Sequence, residues 1–486
     1  MKNNLLYLIQ TPYYNDYGPM KKAAGTYFPL GLGYISSYVK RHGYQVKFID
    51  PNVQKATKED IAGAILKDKP ALVGVSFMTP QYYAARDMCE AIKSACADTP
   101  IALGGAHPSV MAKETLNDIP FCDFAVVREG EETVLELLRA LEREGSDLGA
   151  IRGLAWRDGN QIVVNEPREP IRDLDSLPFP DRDLIDITLY RAQSFFSYSS
   201  KMAAIYTSRG CPGRCVFCCS GHRMRTPVRE RGIDNIMAEI DELRSRFNID
   251  YLMVKDDTFT FRKSRALEFC DALLKNHPGL KWHCMGRVNS IDYNLLSRMK
   301  EAGLNDIFFG IESGDAGILK KCKKGITLEQ SRAAVEACRK LGIRTYGAFI
   351  LGLPGESRET IENTIRFACS LPLTMAGFSI LIPYPGTTVF DEYFRAEPGD
   401  PIDYGAFIAS SGVHYIEAYK GLNGLSASEL PALLASAQKR FYMRPRQLAR
   451  MIRSASFSML LGYARGFFSL LSKEIYRRGT AKAKKT

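Results

Sequence analysis

Three cysteines in one short loop are the residues of this chain best placed to do chemistry. They lie in the run Cys211-Pro-Gly-Arg-Cys215-Val-Phe-Cys218-Cys219, spaced C-x3-C-x2-C. Thiols this close in sequence can converge on one small inorganic core, and soft thiolates select iron-sulfur clusters or zinc. A closed zinc site wants a fourth protein ligand. The chain has no second CxxC pair and no His at finger spacing, so a closed structural zinc site is disfavoured. A 4Fe-4S cluster held by three cysteines leaves one iron open, and an open iron is what chemistry needs. Cys219 is extra to the motif and reads as a small apolar packing residue, as do the other eight cysteines, which are scattered singly.

Such a loop needs a rigid strand to aim it. From Met202 a series of strands alternates with helices: Met202 to Thr207, Tyr251 to Lys255, Lys281 to Arg287, Asp306 to Ile311, Arg344 to Leu351 and Gly377 to Ile382, with helices such as Ile233 to Phe247 and Leu328 to Leu341 between them. Six units predict a partial (β/α)6 TIM-type barrel over 199–400, with its site at the carboxyl ends of the strands. The first 145 residues alternate in the same way. Strands at Leu5 to Gln10, Gln45 to Asp50, Ala71 to Phe77, Ile101 to Gly104 and Phe124 to Val127 predict an α/β, doubly wound Rossmann-like domain over 1–150. Residues 151–198 hold a small strand pair and the run Leu177-Pro178-Phe179-Pro180, and read as a linker. Residues 401–486 are expected to be a helical C-terminal region.

The chain has 486 residues, 45% hydrophobic and 24% charged, with a formal net charge of +11. From Arg440 onward there are twelve Lys or Arg and one acidic residue, Glu474, so this segment carries the whole excess and the rest is neutral. A neutral body with a basic tail points to a local surface effect and makes nucleic acid an unlikely main partner. No apolar run reaches the length of a membrane span, and the stretch Leu5 to Ile9 is too short for a signal-peptide core. A cytoplasmic protein is expected, and twelve cysteines there are not a disulfide framework.

The C-x3-C-x2-C loop after the first barrel strand, with aromatic Phe217 before its last cysteine, resembles the radical S-adenosylmethionine enzymes. The resemblance implies that Cys211, Cys215 and Cys218 hold a 4Fe-4S cluster whose fourth iron binds S-adenosylmethionine, and that an electron donor of flavodoxin or ferredoxin type reduces it. It also implies cofactor contacts at later strand ends. Asp256 and Asp257 would accept from the methionyl amine, Arg287 would pair a carboxylate, Glu312 and Ser313 would take the amine or ribose hydroxyls, and the turn Gly352-Leu353-Pro354-Gly355 would approach adenine. Each element alone is ordinary loop chemistry; their order at successive strand ends gives them weight.

In doubly wound sheets ligands sit beyond the carboxyl ends of the strands. Here those ends carry Tyr13, Met78, Thr79, Gly104, Gly105, His107, Glu129, Gly130 and Glu131, and the dinucleotide fingerprint GxGxxG is missing. The strings GGAHPS and REGEET make this region similar to the cobalamin-binding domain found ahead of many radical S-adenosylmethionine enzymes. No DxHxxG follows the first strand, so the resemblance implies base-off cobalamin with no histidine on cobalt. His107 is expected to line the pocket or to serve as a structural hydrogen bonder.

The whole pattern resembles the group containing the Mg-protoporphyrin oxidative cyclase and the hopanoid methylase. It implies radical C-methylation of an unactivated carbon, by hydrogen abstraction with a 5′-deoxyadenosyl radical and methyl transfer from methylcobalamin. The alternatives are a cobalamin-dependent cyclase or rearrangement enzyme, and a non-catalytic cluster and cobalamin sensor. The substrate is expected to be a small molecule, apolar or conjugated, in a pocket lined by Phe195 to Tyr198, Pro383 to Thr387 and residues beyond Asp400. In the tail, Arg446, Arg450 and Arg453 fall on one side of a helix, and Leu448, Met451, Ile452, Ala455 and Met459 fall opposite. Two readings stand: the apolar face caps the barrel, or the segment from Ser456 to Leu471 lies on the inner membrane face.

Overall fold

The computed structural model describes residues 4–13, 25–143, 145–191, 201–394, 402–407, 425 and 429–454. Two sheets dominate. The first has seven strands: β1 (Leu5–Gln10), β2 (Gln45–Ile49), β3 (Leu72–Ser76), β4 (Ile101–Gly104), β5 (Phe124–Val126), β6 (Leu154–Asp158) and β7 (Gln161–Val164), in the order β2-β1-β3-β4-β5-β6-β7. β1 to β5 are parallel, and alternation buries both faces: Leu6 and Leu8 pack with the core that continues under the second sheet, Tyr7 and Ile9 with a separate core on the other face. The strand pair expected in the linker pairs antiparallel with β5 instead and extends this sheet. Its hydrogen-bonding edge is satisfied only there, because β5 would otherwise present a free parallel edge.

The second sheet follows a two-stranded ribbon, β9 (Ser208–Arg209) with β10 (Arg229–Glu230), that interrupts the series after β8 (Met202–Ile205). The order is β8, β11 (Tyr251–Val254), β12 (Lys281–Gly286), β13 (Leu304–Glu312), β14 (Arg344–Leu351) and β15 (Met375–Ile380), all parallel. Six strands leave the barrel with two free edges. On β8 the carbonyl of Ala204 accepts from Arg182 Nη2 at 2.8 Å. On β15 the hydroxyl of Tyr442 donates to the Ala376 carbonyl at 2.6 Å and accepts from its N–H at 3.2 Å.

Tyr442 ends the helix Glu429–Tyr442, whose Leu430, Leu433, Ala437 and Phe441 are buried, with Phe441 edge-on to Phe378. The next helix, Pro445–Ser454, docks differently from the expectation that its apolar face caps the barrel. Buried Gln447 donates to Thr374 O at 2.7 Å and Arg450 to Leu373 O at 3.0 Å, and Met451 is buried, while Leu448 and Ile452 are exposed. The carbonyls just before β15 are unpaired strand-end acceptors, and satisfying them outweighs burying one more leucine. This contact lies at the amino ends of the barrel strands, away from the cysteine loop. Ser456 to Leu471, and Phe195 to Tyr198, lie outside the described residues. Among the described residues no helix is long and apolar enough to cross a membrane.

Candidate functional site

The cysteine loop leaves β9 at Gly210, whose φ of +95° and closeness to Pro227 O, 2.4 Å from where a Cβ would stand, admit only glycine. It then folds on itself: Cys218 N–H donates to Cys215 O at 3.1 Å and Gly213 N–H to Cys211 Sγ at 3.4 Å. A Cβ at Gly213 would lie 3.3 Å from Cys211 Sγ and 3.8 Å from Cys215 Sγ, so two thiols converge there. Cys215 is buried, and Cys211 and Cys218 are half-buried. Burial pushes the Cys218 thiol up, and Cys215 beside it adds to the shift. Among the described residues no three His, Cys, Asp or Glu side chains could hold a single metal ion. Two thiols beside Gly213 and a third in the same loop are a donor set that suits a cubane cluster, which is larger than one ion. Cys219 turns away, donating to Pro385 O at 3.3 Å, and burial pushes its thiol up to about 12.

The later strand ends divide into groups that face this loop and groups that do not. The Arg287 guanidinium lies against it, with Nη1 3.2 Å from the Gly213 Cβ position and Nη2 donating to Lys324 O. Glu312, held at φ +68°, pairs through Oε1 with Lys324 Nζ at 2.8 Å, and that ammonium sits 5.9 Å from the Phe217 ring centre. Asp257 is exposed toward the open end. Asp256 is not: it is buried and accepts from Thr207 N–H, Thr207 Oγ1 and Ser208 Oγ, which ties the segment after β11 to the start of β9 and leaves nothing for an incoming amine. Ser313 is likewise consumed, fully buried with its hydroxyl against Thr364 Oγ1 at 3.1 Å.

Gly352 (φ +89°) and buried Pro354 form the turn after β14. That turn is held by a residue absent from the sequence expectations. Buried Glu356 accepts from Gly352 N–H at 2.6 Å and Leu353 N–H at 2.9 Å, and burial pushes its carboxyl up to about 8. Its position directly after GLPG, before a helix start, was the available signal.

A cavity of about 430 Å³ runs from the first sheet to the barrel mouth. Gly74, Gly104, Gly105, Glu129, Gly130 and Glu131 line it on one side, and Tyr206, Ser208, Arg209, Gly210, Lys255 and Asp257 on the other. A Cβ at Gly104 would meet nothing within 4 Å, whereas at Gly105 (φ +98°) it would strike Phe77 O at 2.5 Å. One glycine therefore leaves room and the other permits a tight turn. The two glutamates bridge the domains. Arg229 grips Glu129 with both guanidinium nitrogens, at 2.9 and 2.7 Å, and Arg209 Nη2 meets Glu131 Oε1 at 2.6 Å. Burial raises the Glu129 carboxyl, but Arg229 and Arg209 outweigh it and hold it below its ordinary value. Half-buried Lys255 lies 3.9 Å from the Tyr27 ring centre, and burial draws its ammonium down to about 8.

Tyr13, Met78, Thr79 and His107 do not line this cavity. Thr79 Oγ1 and His107 Nδ1 meet at 3.0 Å on the opposite side of the sheet, where the imidazole stacks on Phe77 and stands edge-on to Tyr82 and Tyr404. The helical turn after Gly105 points His107 into that apolar core, and burial lowers it to about 3. Tyr13 is bound through its N–H to Asn52 Oδ1 at 2.8 Å, and Met78 is exposed. Pro383 to Thr387 also stand off the cavity, with Gly386 packed on Val110. Arg209, Tyr206 and Lys255 were not anticipated, because strand positions before a motif look like core in a sequence.

The chain matches the Radical SAM superfamily over residues 205–368 and the B12 binding domain over 19–138. It is 33% identical over 89% of its length to the uncharacterized methyltransferase PH0819 of Pyrococcus horikoshii, covering 92% of that protein. It is 28% identical over 89% of its length to the anaerobic magnesium-protoporphyrin IX monomethyl ester cyclase of Rubrivivax gelatinosus, covering 76% of it. Its fold is like that of the radical S-adenosylmethionine methyltransferase TsrM from Kitasatospora setae, with a TM-score of 0.66 and 20% identity over 81% of this chain and 75% of that one. The chain belongs to the radical S-adenosylmethionine enzymes that carry a B12-binding domain, a family that includes methyltransferases and a cyclase.

Proposed function

We propose that this enzyme is a cobalamin-dependent radical C-methyltransferase acting on an unactivated carbon. The observation that carries the reading is the single cavity shared by the glycine-lined crevice of the first sheet and the mouth of the barrel. In this reading Cys211, Cys215 and Cys218 hold a 4Fe-4S cluster. Arg287, Glu312, Asp257, Phe217 and the Gly352–Pro354 turn surround S-adenosylmethionine. Gly104, Gly105 and Gly130 admit the nucleotide tail of cobalamin, and Glu129 and Glu131 hold the two domains together around it. The bound cofactors supply radical generation and methyl transfer, and the chain supplies orientation and exclusion of water. Among the described residues the cavity lining has no histidine, which supports base-off cobalamin without a histidine on cobalt. The relation to a protein named as a methyltransferase, at 33% identity, favours methyl transfer over the cyclase reading, which rests on the relative at 28%.

The test is anaerobic reconstitution with labelled S-adenosylmethionine and candidate apolar substrates. Methyl transfer gives S-adenosylhomocysteine and 5′-deoxyadenosine in comparable amounts with label in the product. Deoxyadenosine without homocysteine product would move the assignment to a cyclase or rearrangement. In the Cys211, Cys215 and Cys218 triple alanine variant, iron and cluster absorbance should vanish together, and a full cluster in that variant would reject the ligand set.

A further inference from the structure

The charged residues lining the cavity shared by the two domains are Arg128, Glu129, Glu131, Arg209, Lys255 and Asp257. All but one are engaged within the chain. Arg128 Nη2 donates to Arg223 O at 3.1 Å, Glu129 is gripped by Arg229, Glu131 pairs with Arg209, and Asp257 accepts from the Ser220 hydroxyl. Lys255 is the exception. Among the described residues its ammonium makes no hydrogen bond and no ion pair, and its partner is the face of the Tyr27 ring, 3.9 Å from the ring centre.

The fold holds this lysine in place. It follows β11 directly, its N–H donates to Ile205 O at 2.9 Å beside the end of β8, and Tyr27 packs against the core that continues under the sheet. Other lysines meet one of two fates. Lys47 and Lys263 pair with Asp68 and Asp292, while Lys275, Lys281 and Lys340 stand exposed in water, which solvates the charge. Lys255 has neither: it is half-buried, and burial alone draws its ammonium down to about 8. A ring face is a weaker partner than a carboxylate, so the charge keeps an unmet demand for an anion on the cavity side.

We propose that Lys255 anchors a carboxylate or phosphate group of the substrate, so that the enzyme acts on an otherwise apolar organic anion. The inference rests on the reading of the cavity given above. In that reading the cobalamin tail enters at Gly104, Gly105 and Gly130 on the opposite wall, and Arg287 takes the carboxylate of S-adenosylmethionine, which leaves Lys255 to the substrate. The rest of the lining includes Leu32, Ile35 and Val134, which hold an apolar body without fixing its direction. One placed cation decides which end of the molecule enters, and so which carbon meets the radical.

The experiment reads Lys255 directly, by trace acetylation of amines with acetic anhydride and mass analysis of its peptide, in full-length enzyme loaded with cluster and cobalamin. Benzoate or inorganic phosphate at about 20 mM should slow labelling of Lys255 about threefold or more, because a bound anion favours the unreactive ammonium. Benzamide at the same concentration should change it by less than about 1.5-fold, and exposed Lys275 in the same sample should respond to none of them. The anion that protects more strongly identifies the substrate's charged group as carboxylate or phosphate. Lys255→Met should take up cobalamin and cluster as the wild type does. Labelling that does not distinguish either anion from benzamide would overturn the anchor. So would equal protection by S-adenosylmethionine alone, or lower cobalamin uptake in Lys255→Met, since the anion would then belong to a cofactor. Failure of the wild type itself to take up cobalamin or cluster would instead strike at the reading of the cavity.

Discussion

The two free edges of the partial barrel are sealed by different chemistry. At β8 the seal is ionic: Arg182, which covers Ala204 O, is itself held by Glu239 Oε1 at 2.8 Å, and the other oxygen of Glu239 engages Arg231, which reaches Tyr206 O at 2.8 Å. All three charged groups are buried. At β15 the seal is a helix that buries Phe441, Ala437 and Leu430 and adds one neutral pair of hydrogen bonds from Tyr442. The ionic edge leads straight into Ser208, Arg209 and the cysteine loop, whereas the apolar edge lies across the barrel from them. A buried network depends on every member being present, because any one loss leaves a desolvated charge. Apolar burial is graded, so that edge tolerates small losses. The less tolerant seal therefore stands beside the chemistry.

Breaking the ionic edge should have the largest effect. Glu239→Ala leaves two buried guanidinium groups without a counter-charge, and urea unfolding should show a loss of about 3–5 kcal/mol. Reconstituted iron content should fall as well, since the strand that carries the loop loosens. If the variant loses stability but keeps iron in full, the β8 edge does not position the cluster.

The Glu356 carboxyl, in the turn after β14, is an intermediate case. Glu356→Ala strips two backbone N–H groups of their acceptor and should cost about 1–3 kcal/mol. Its pH dependence has a definite sign. A carboxyl raised to about 8 in the folded state contributes stability that is complete below its ordinary value and lost as pH rises through about 8. Stability should therefore decline from pH 5 to pH 8 in wild type and less steeply in Glu356→Gln, measured by denaturant midpoints at fixed ionic strength. Parallel profiles would remove Glu356 as the titrating group.

The smallest effect belongs to the apolar edge. Tyr442→Phe keeps the ring and removes only the hydroxyl at Ala376, for about 1 kcal/mol. Iron content and cluster absorbance should be unchanged. A loss of iron here would mean that the two edges are coupled and that the comparison fails.

Strands and most helices could be placed from periodicity alone, because local patterns report burial: Leu30–Arg41, Tyr82–Ala95 and Ile233–Phe247 fall where apolar spacing puts them. The C-x3-C-x2-C loop was legible for the same reason, since its meaning lies in spacing within nine residues. Side-chain direction at a strand end was not. Asp256 and Asp257 are adjacent and chemically identical, yet one is spent on Thr207 and Ser208 and the other faces the open end. Thr79 and His107 sit at the right strand ends and point to the wrong side of the sheet.

The sequence by itself thus determined the two α/β units, their order and the thiol loop, all of which follow from patterns a few residues long. Only the tertiary structure decided which strand-end groups face the cavity and that Arg229 and Arg209 close the domains on Glu129 and Glu131. Hydrogen-bond and charge satisfaction depend on residues as far as 320 positions apart in the chain, and spacing carries no record of that competition.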